Sequence, residues 1–420
     1  MAARPVRLDD VRRAQRTLAG VAQRTALEPS RHLSRLVGAP VRLKCENLQR
    51  TGSFKVRGAY VRIAGLSAGE RAAGVVAAST GNHGQGVALA ASLLGVRATV
   101  FMPEEAQLPK LAATRGYGAQ VRVCGQGLDE ALAAAREYAR AAGAVFIHPF
   151  DHPDVIAGQG TVGLEILEQC PRAGTVVMGV GGGGLVAGVA VAVKALRPDV
   201  RIVGVQAAGA AAYPPSLAAG HPVTVEAPVT MAEHPGGAAG ELTFRIVEEL
   251  VDEVRTVSED ELSSALLLCL ERAKLVVEPA GASPVAALLA DPAAFRDAAG
   301  GTGEGGEAGG GREGRPVVAV LSGGNVDALV LQRVLRHGMA AAGRYLSLRL
   351  LLTDRPGALA ALLEVLSAAG ANVVDVSHVR TDPRLGLTEA EVEVHLETAG
   401  PEHCAAVRAA LRAAGYPVMS

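Results

Sequence analysis

From about residue 70 to about residue 210 the sequence alternates short β-branched runs with alanine-rich helical stretches: GVVAAS, GQGVALAASLLG, RATVFM, and later TVVMGV, LVAGVAVAVKAL and VRIVGVQ. This alternation predicts βαβ units, hence a largely parallel sheet covered by helices on both faces. A chain of 420 residues exceeds the usual single core, so two or more domains are expected.

Two stretches break the pattern. Residues 298–314, AAGGTGEGGEAGGGREG, are dominated by glycine and show no apolar periodicity. They read as a disordered surface loop, because burial cannot offset their ordering entropy. The loop is an insertion, since PVVAVL and VDALVLQRVLRH after it read as the sheet continuing. From Arg344 onward the text changes to strand, loop, helix, strand (YLSLRLLLTDRPGALAALLEVLSAAGANVVDVSHVR), then strand LTEAEVEVHLE, helix HCAAVRAALRAAG and short strand YPVMS. This βαββαβ order is ferredoxin-like and predicts a second domain over 344–420.

The formal net charge of −1, with both signs interspersed, gives no footprint for nucleic acid or an anionic membrane, so small solutes are the expected partners. Five cysteines (45, 124, 170, 269 and 404) at wide spacings, without CxxC, argue against a disulfide framework or structural zinc. They read as reduced thiols of a cytoplasmic protein. The N-terminus lacks the apolar core of a signal peptide, and no segment predicts a transmembrane helix.

Four stretches carry chemistry. Only five of the 41 basic residues are lysines, and one of them, Lys55, stands in GSFKVRGAY (52–60). A lone lysine is ordinarily a solvated surface cation, but unlike arginine it can condense with an aldehyde to a Schiff base. The second stretch, ASTGNHGQG (78–86), lies between a strand-like and a helical run. It reads either as a turn capped by Ser79 or Thr80 or as an anion site on a positive helix end. The third, MGVGGGGLVAG (178–188), leaves backbone N–H groups unobstructed at a helix start, a phosphate cradle. Gly179, Gly181 and Gly184 also spell GxGxxG, which brings in a dinucleotide site; Gln206, where a ribose-binding acid is expected, weighs against it. The fourth, LSGGN (321–325), follows a strand-like run and reads as opening a helix.

Three of these four fall at strand-to-helix junctions, which in an open α/β sheet face one edge, where ligands bind. A phosphate cradle, an imine-forming amine, a carboxylate-sized anion site and a hydroxyl together suit pyridoxal 5′-phosphate and an amino acid.

The motifs KCENLQRTGSFKVRGAY, STGNHGQG, FMPEEAQLPKLAATRGYGAQV, FIHPFDHPDVIAGQGTVGLEILEQ, GVGGGGL, ELVDEVRTVSEDEL, VVEPAGA and LSGGN occur in one order over nearly all of residues 5–340. In this the chain resembles the fold type II pyridoxal-phosphate enzymes, and within them the threonine ammonia-lyases. The resemblance implies an α/β catalytic domain over 1–340, built as two subdomains with mostly parallel sheets, the smaller at about 50–150. It implies that Lys55 forms the Schiff base and acts as base, with Phe54 near the ring. Asn82 is implied to bond the ring 3′-oxygen. Ser79, Thr80 and Gly81, with Asn82 and His83, would form the substrate-carboxylate loop. Gly181, Gly182, Gly183, Gly184 and Leu185 would hold the phosphate, Ser322 would meet the pyridine nitrogen, and Glu278 would lie near the ring.

The segment TDRPGALAALLEVLSAAGANVVDV resembles an ACT domain, which implies an amino-acid effector at Asp354, Gly357, Leu359 and Asn372 and a homodimer or homotetramer. Gln206 stands where cation-dependent relatives carry a carboxylate, so no divalent-metal site is expected. Thr80 occupies the position of a second acid–base group in racemising relatives and leaves racemisation open. Residues 231–244, MAEHPGGAAGELTF, depart from the family pattern, with Glu233 and His234 in place of Asp-Gly. A dehydratase, a racemase and a catalytically silent amino-acid sensor are the three functions in view.

Overall fold

Val75–Ala78 and Val317–Val320 are buried along their whole length, which a strand is only when helices cover both faces of its sheet. In the computed structural model, which describes residues 6–225, 229–232, 239–296 and 314–419, these two strands lie inside two separate sheets. The six-stranded sheet runs in the order Leu27–Pro29, Val41–Lys44, Val317–Val320, Thr175–Gly179, Arg201–Ala207, Glu253–Val257. All its pairings are parallel except that of the edge strand Leu27–Pro29. The four-stranded sheet, Gln120–Val123, Ala98–Met102, Val75–Ala78, Val145–Phe146, is parallel throughout.

The helix Lys55–Ala64 is anchored by a buried ionic cluster. Arg57, almost wholly enclosed, pairs with Glu46 at 2.8 Å and Glu165 at 2.7 Å, and Glu165 also receives Lys44 Nζ at 2.6 Å. Removing one member of such a cluster strands a buried charge and costs about 3–5 kcal/mol. The same helix meets Pro153–Gln169 at a glycine contact: a Cβ on Gly158 would lie 2.6 Å from the Cα of Gly58.

The chain divides into two compact units, Met1–Ala328 and Leu329–Ser420. The second contains an antiparallel sheet in the order Asn372–Val379, Glu389–Glu397, Tyr345–Thr353, Val418–Met419, with helices Ala358–Ala368 and Pro401–Ala413. Its strand Tyr345–Thr353 alternates, with Leu346, Leu348, Leu350 and Leu352 buried and Ser347 and Arg349 exposed, as a sheet covered on one face requires.

LSGGN does not lead directly into the helix that its sequence predicts. No helix opens there. The loop is held to the turn before Lys55: Phe54 N–H donates to Ser322 O at 3.2 Å and Gly324 N–H to Gly52 O at 2.9 Å. A helix begins only at Ala328 and runs to Ala341, so from Leu329 onward it belongs to the second unit, ahead of the boundary expected near Arg344. The glycine-rich stretch 298–314 lies outside the described residues apart from Gly314, as do Glu233 and His234.

Candidate active site

Four helices of the first unit, Lys55–Ala64, Asn82–Leu93, Gly184–Leu196 and Pro279–Ala290, begin at one pocket. None has a side chain of its cap residue bonded to its free N–H groups. The first N–H groups of a helix have no intrahelical acceptor and carry the positive end of its dipole, so this pocket favours anions.

Phe54, Lys55, Ser79, Thr80, Asn82, His83, Gly181, Gly182, Gly183, Gly184, Leu185, Glu278 and Ser322 all line it. The expectation that Ser79 or Thr80 caps the helix is not met: the helix begins after Gly81, and Ser79 Oγ instead accepts the Gly81 N–H at 2.9 Å. The turn is tied at its own base and the helix end stays open to the pocket.

Lys55 Nζ donates to the backbone carbonyl of Pro149 at 3.0 Å and lies 5.2 Å from the centre of the Phe54 ring. Burial lowers its pKa to about 8, against the opposing pull of the Glu278 carboxylate. About a tenth of this amine is therefore unprotonated at pH 7, a far larger share than in a solvated lysine, and the unprotonated form is the state a nucleophile or base requires. His83 is also buried; its Nε2 lies 2.9 Å from Ile147 O, and burial, helped by the Lys55 charge, pushes its pKa down to about 3. The ring is neutral, with Nε2–H donating to that carbonyl.

Asn82 Nδ2 donates to both oxygens of Glu278, at 2.8 and 3.0 Å, which joins the starts of two of the four helices. The glycine run is braced from behind. A Cβ on Gly182 would overlap the Phe150 ring, and one on Gly183, whose φ is +92°, would overlap the Tyr213 hydroxyl. Thr243 Oγ1 donates to Gly182 O at 2.7 Å. Gln206 lies behind the same loop, its Nε2 donating to Val180 O at 3.1 Å and its Oε1 accepting Tyr213 N–H at 2.8 Å. Both ends of its amide serve the fold. Among the described residues no group of three or more His, Cys, Asp or Glu side chains is arranged to hold a metal.

The four candidate effector residues of the second unit do not meet within one copy. Asp354, 3.2 Å from Arg380, and Gly357, at the start of helix Ala358–Ala368, share one end of the sheet. Asn372 bonds Glu397 at 3.2 Å at the opposite end, where Glu397 also pairs with Tyr345. Leu359 packs onto the core of this unit.

The family model described as pyridoxal-phosphate dependent enzyme matches residues 18–300. The chain belongs to this family. A second family model, the ACT domain, matches residues 346–413. The chain is 44% identical over 417 residues to L-threonine ammonia-lyase of Thermotoga maritima, covering 98% of this chain and 99% of that one. A crystal structure of a threonine deaminase from T.th. is similar with a TM-score of 0.68 and 43% identity, covering 76% of this chain and 99% of the other. Maize serine racemase follows with a TM-score of 0.71 and 34% identity over 79% of this chain and 97% of its own.

As a pyridoxal-phosphate enzyme the chain has a further site segment, His148–Asp151, which lies within the motif FIHPFDHPDVIAGQGTVGLEILEQ but carried no site role in the sequence. His148 Nδ1 accepts Asp151 N–H at 2.8 Å, Pro149 O receives Lys55, and Phe150 backs the glycines. Asp151 Oδ1 accepts Leu242 and Thr243 N–H at 3.0 Å each, closing the helix Glu241–Leu250 that follows the atypical segment. Its signal was available: HPFD follows the strand Val145–Phe146 at the same sheet edge as STGN.

Proposed function

We propose that this chain is an L-threonine ammonia-lyase, which dehydrates and deaminates L-threonine, and L-serine, to 2-oxobutyrate or pyruvate and ammonia. The observation that carries it is a buried lysine of pKa about 8 in one pocket with an open helix end on either hand, Asn82–Leu93 and Gly184–Leu196. These residues fit pyridoxal 5′-phosphate. The glycine start of Gly184–Leu196 offers free N–H groups to a dianionic phosphate with no side chain in the way, Lys55 offers an amine to the aldehyde, Ser322 a hydroxyl to the ring nitrogen and Asn82 an amide to the ring oxygen.

Bound there, the cofactor supplies a sink for the electron pair left at Cα when a proton departs. The Ser79–Gly81 turn and the start of Asn82–Leu93 bind and orient the substrate carboxylate. Lys55 Nζ takes the Cα proton; the amine lowered by burial is matched to that task near neutral pH. Thr80 holds its hydroxyl at the pocket wall beside the carboxylate loop. Ser322, a neutral hydroxyl rather than a carboxylate, would hold a proton at the ring nitrogen less firmly than an acid would, which favours elimination of the β-hydroxyl. The ACT domain takes a free amino acid as effector in a homodimer or homotetramer, and the five free cysteines suit a cytoplasmic setting.

Release of 2-oxo acid from L-threonine and L-serine, with pyridoxal 5′-phosphate present, tests this reading. Wild type is expected to turn both over, and Lys55→Ala to lose at least about 1,000-fold. D-serine as the main product would replace the lyase with a racemase, and amino-acid binding without turnover would leave a sensor.

A further inference from the structure

LSGGN ends in Asn325, which the chemistry above does not use. Its Nδ2 lies 2.6 Å from Thr51 O and 2.8 Å from Asn82 Oδ1. A backbone carbonyl only accepts, so the atom of Asn325 that faces Thr51 is the amide nitrogen. The second hydrogen of that nitrogen reaches Asn82, whose facing atom is thereby its oxygen. The Asn82 NH2 group then turns to the Glu278 carboxylate and the pocket. Thr51 itself sits at φ +66°, one of two non-glycine residues at positive φ among those described. Such strain persists where the surrounding structure fixes it, and it clusters at functional sites.

We infer that Asn325 is a positioning residue for the cofactor: it fixes which end of the Asn82 amide faces the pocket, so that a donor meets the ring oxygen. This rests on the pyridoxal-phosphate reading of the pocket given above. Without Asn325 only the Glu278 carboxylate holds the Asn82 NH2 group on the pocket side, and a turned amide would set an acceptor against the same ring oxygen. Asn325→Asp keeps the shape of the side chain but removes the donor. It sets a carboxylate against Thr51 O and Asn82 Oδ1, and that carboxylate competes with Glu278 for the Asn82 NH2 group, drawing it away from the pocket.

The test is a double-mutant cycle on the full chain with Asn325→Asp, Asn82→Ala and both together. Two quantities are read, the dissociation constant for pyridoxal 5′-phosphate by equilibrium dialysis and the pH at which the visible band of the bound cofactor changes. Asn325→Asp is expected to weaken cofactor binding about tenfold and to move that pH upward, because the ring oxyanion loses a donor. In the Asn82→Ala background the same change is expected to do less than about twofold, since the two residues act as one unit. Equal effects in both backgrounds, or none in either, would overturn the inference. Should Asn325→Asp not fold, Asn325→Ala goes through the same cycle with the same criteria. Lys55→Ala and Asn82→Ala, run alongside, separate the two claims: if neither alters cofactor binding or its spectrum, the pocket reading fails, whereas if they do and Asn325 does not, only this inference fails.

Discussion

Two helices of the larger sheet begin at equivalent places, each just beyond the carboxyl end of a parallel strand, and they are built in opposite ways. Glu259–Leu268, after the strand Glu253–Val257, closes its own start: Ser258 Oγ accepts Glu261 N–H at 3.2 Å and Glu261 Oε2 accepts Ser258 N–H at 2.7 Å. Glu259, Asp260 and Glu261 also set negative charge on the dipole. Gly184–Leu196, after Thr175–Gly179, has no acid in its first turn and no side-chain cap. The dipole and the unfilled N–H groups are the same in both. One helix satisfies them internally, at the sheet edge; the other leaves them open to the pocket, at the sheet centre, where Lys55 and Ser322, beyond the strands Val41–Lys44 and Val317–Val320, and Asn82, beyond a strand of the four-stranded sheet, line the same opening.

The contrast is open to direct attack. Gly183→Ala puts a Cβ against Tyr213 and Thr243 at a backbone angle that alanine resists, and it should displace the glycine loop. Its dissociation constant for pyridoxal 5′-phosphate is expected to rise about 100-fold, the loss of roughly two hydrogen bonds to a charged group. The next effect is one of pH. Since burial lowers the Lys55 pKa from its ordinary value to about 8, the reactive amine forms as pH rises. Cofactor capture by the cofactor-free protein is expected to speed up about tenfold per pH unit below that point and to level off above it. A rate still climbing at pH 10 would mean an ordinary, solvated lysine. Smallest is Ser258→Ala, which should cost about 1 kcal/mol in denaturant unfolding and leave cofactor binding unchanged within about twofold. A binding loss there as large as that of Gly183→Ala would erase the distinction between the two helix starts.

The sequence made the parallel sheets legible because buried strands such as VVAA and VVAV are unbroken apolar runs between helical segments. The antiparallel ladder of the second unit showed through its alternation, Leu346 to Leu352. Within the pocket, the lining side chains of Lys55, Ser79, Asn82 and Ser322 were readable, and so was the glycine run, whose missing side chains mark the backbone it exposes. What stayed hidden acts through the backbone or across long separations. Pro149 contributes a carbonyl, which leaves no mark on residue type. Tyr213 and Thr243 brace Gly182 and Gly183 from elements remote in sequence. Asn325 carried no signal of its own, because its partners Thr51 and Asn82 lie 274 and 243 residues away in the sequence. The helix read over VDALVLQRVLRH is present as Ala328–Ala341, but its start was placed too close to LSGGN for a related reason: nothing in LSGGN tells that its loop bonds back to residues 52–54 before the helix begins.

The central claim is that the open start of Gly184–Leu196 is a phosphate site. The most direct measurement compares dissociation constants of the cofactor-free protein for pyridoxal 5′-phosphate and for pyridoxal, which has the aldehyde and ring but no phosphate. The phosphate ester is expected to bind at least about 100-fold tighter, with most of that preference gone in Gly183→Ala. Equal affinity for the two compounds in the wild-type protein would contradict it.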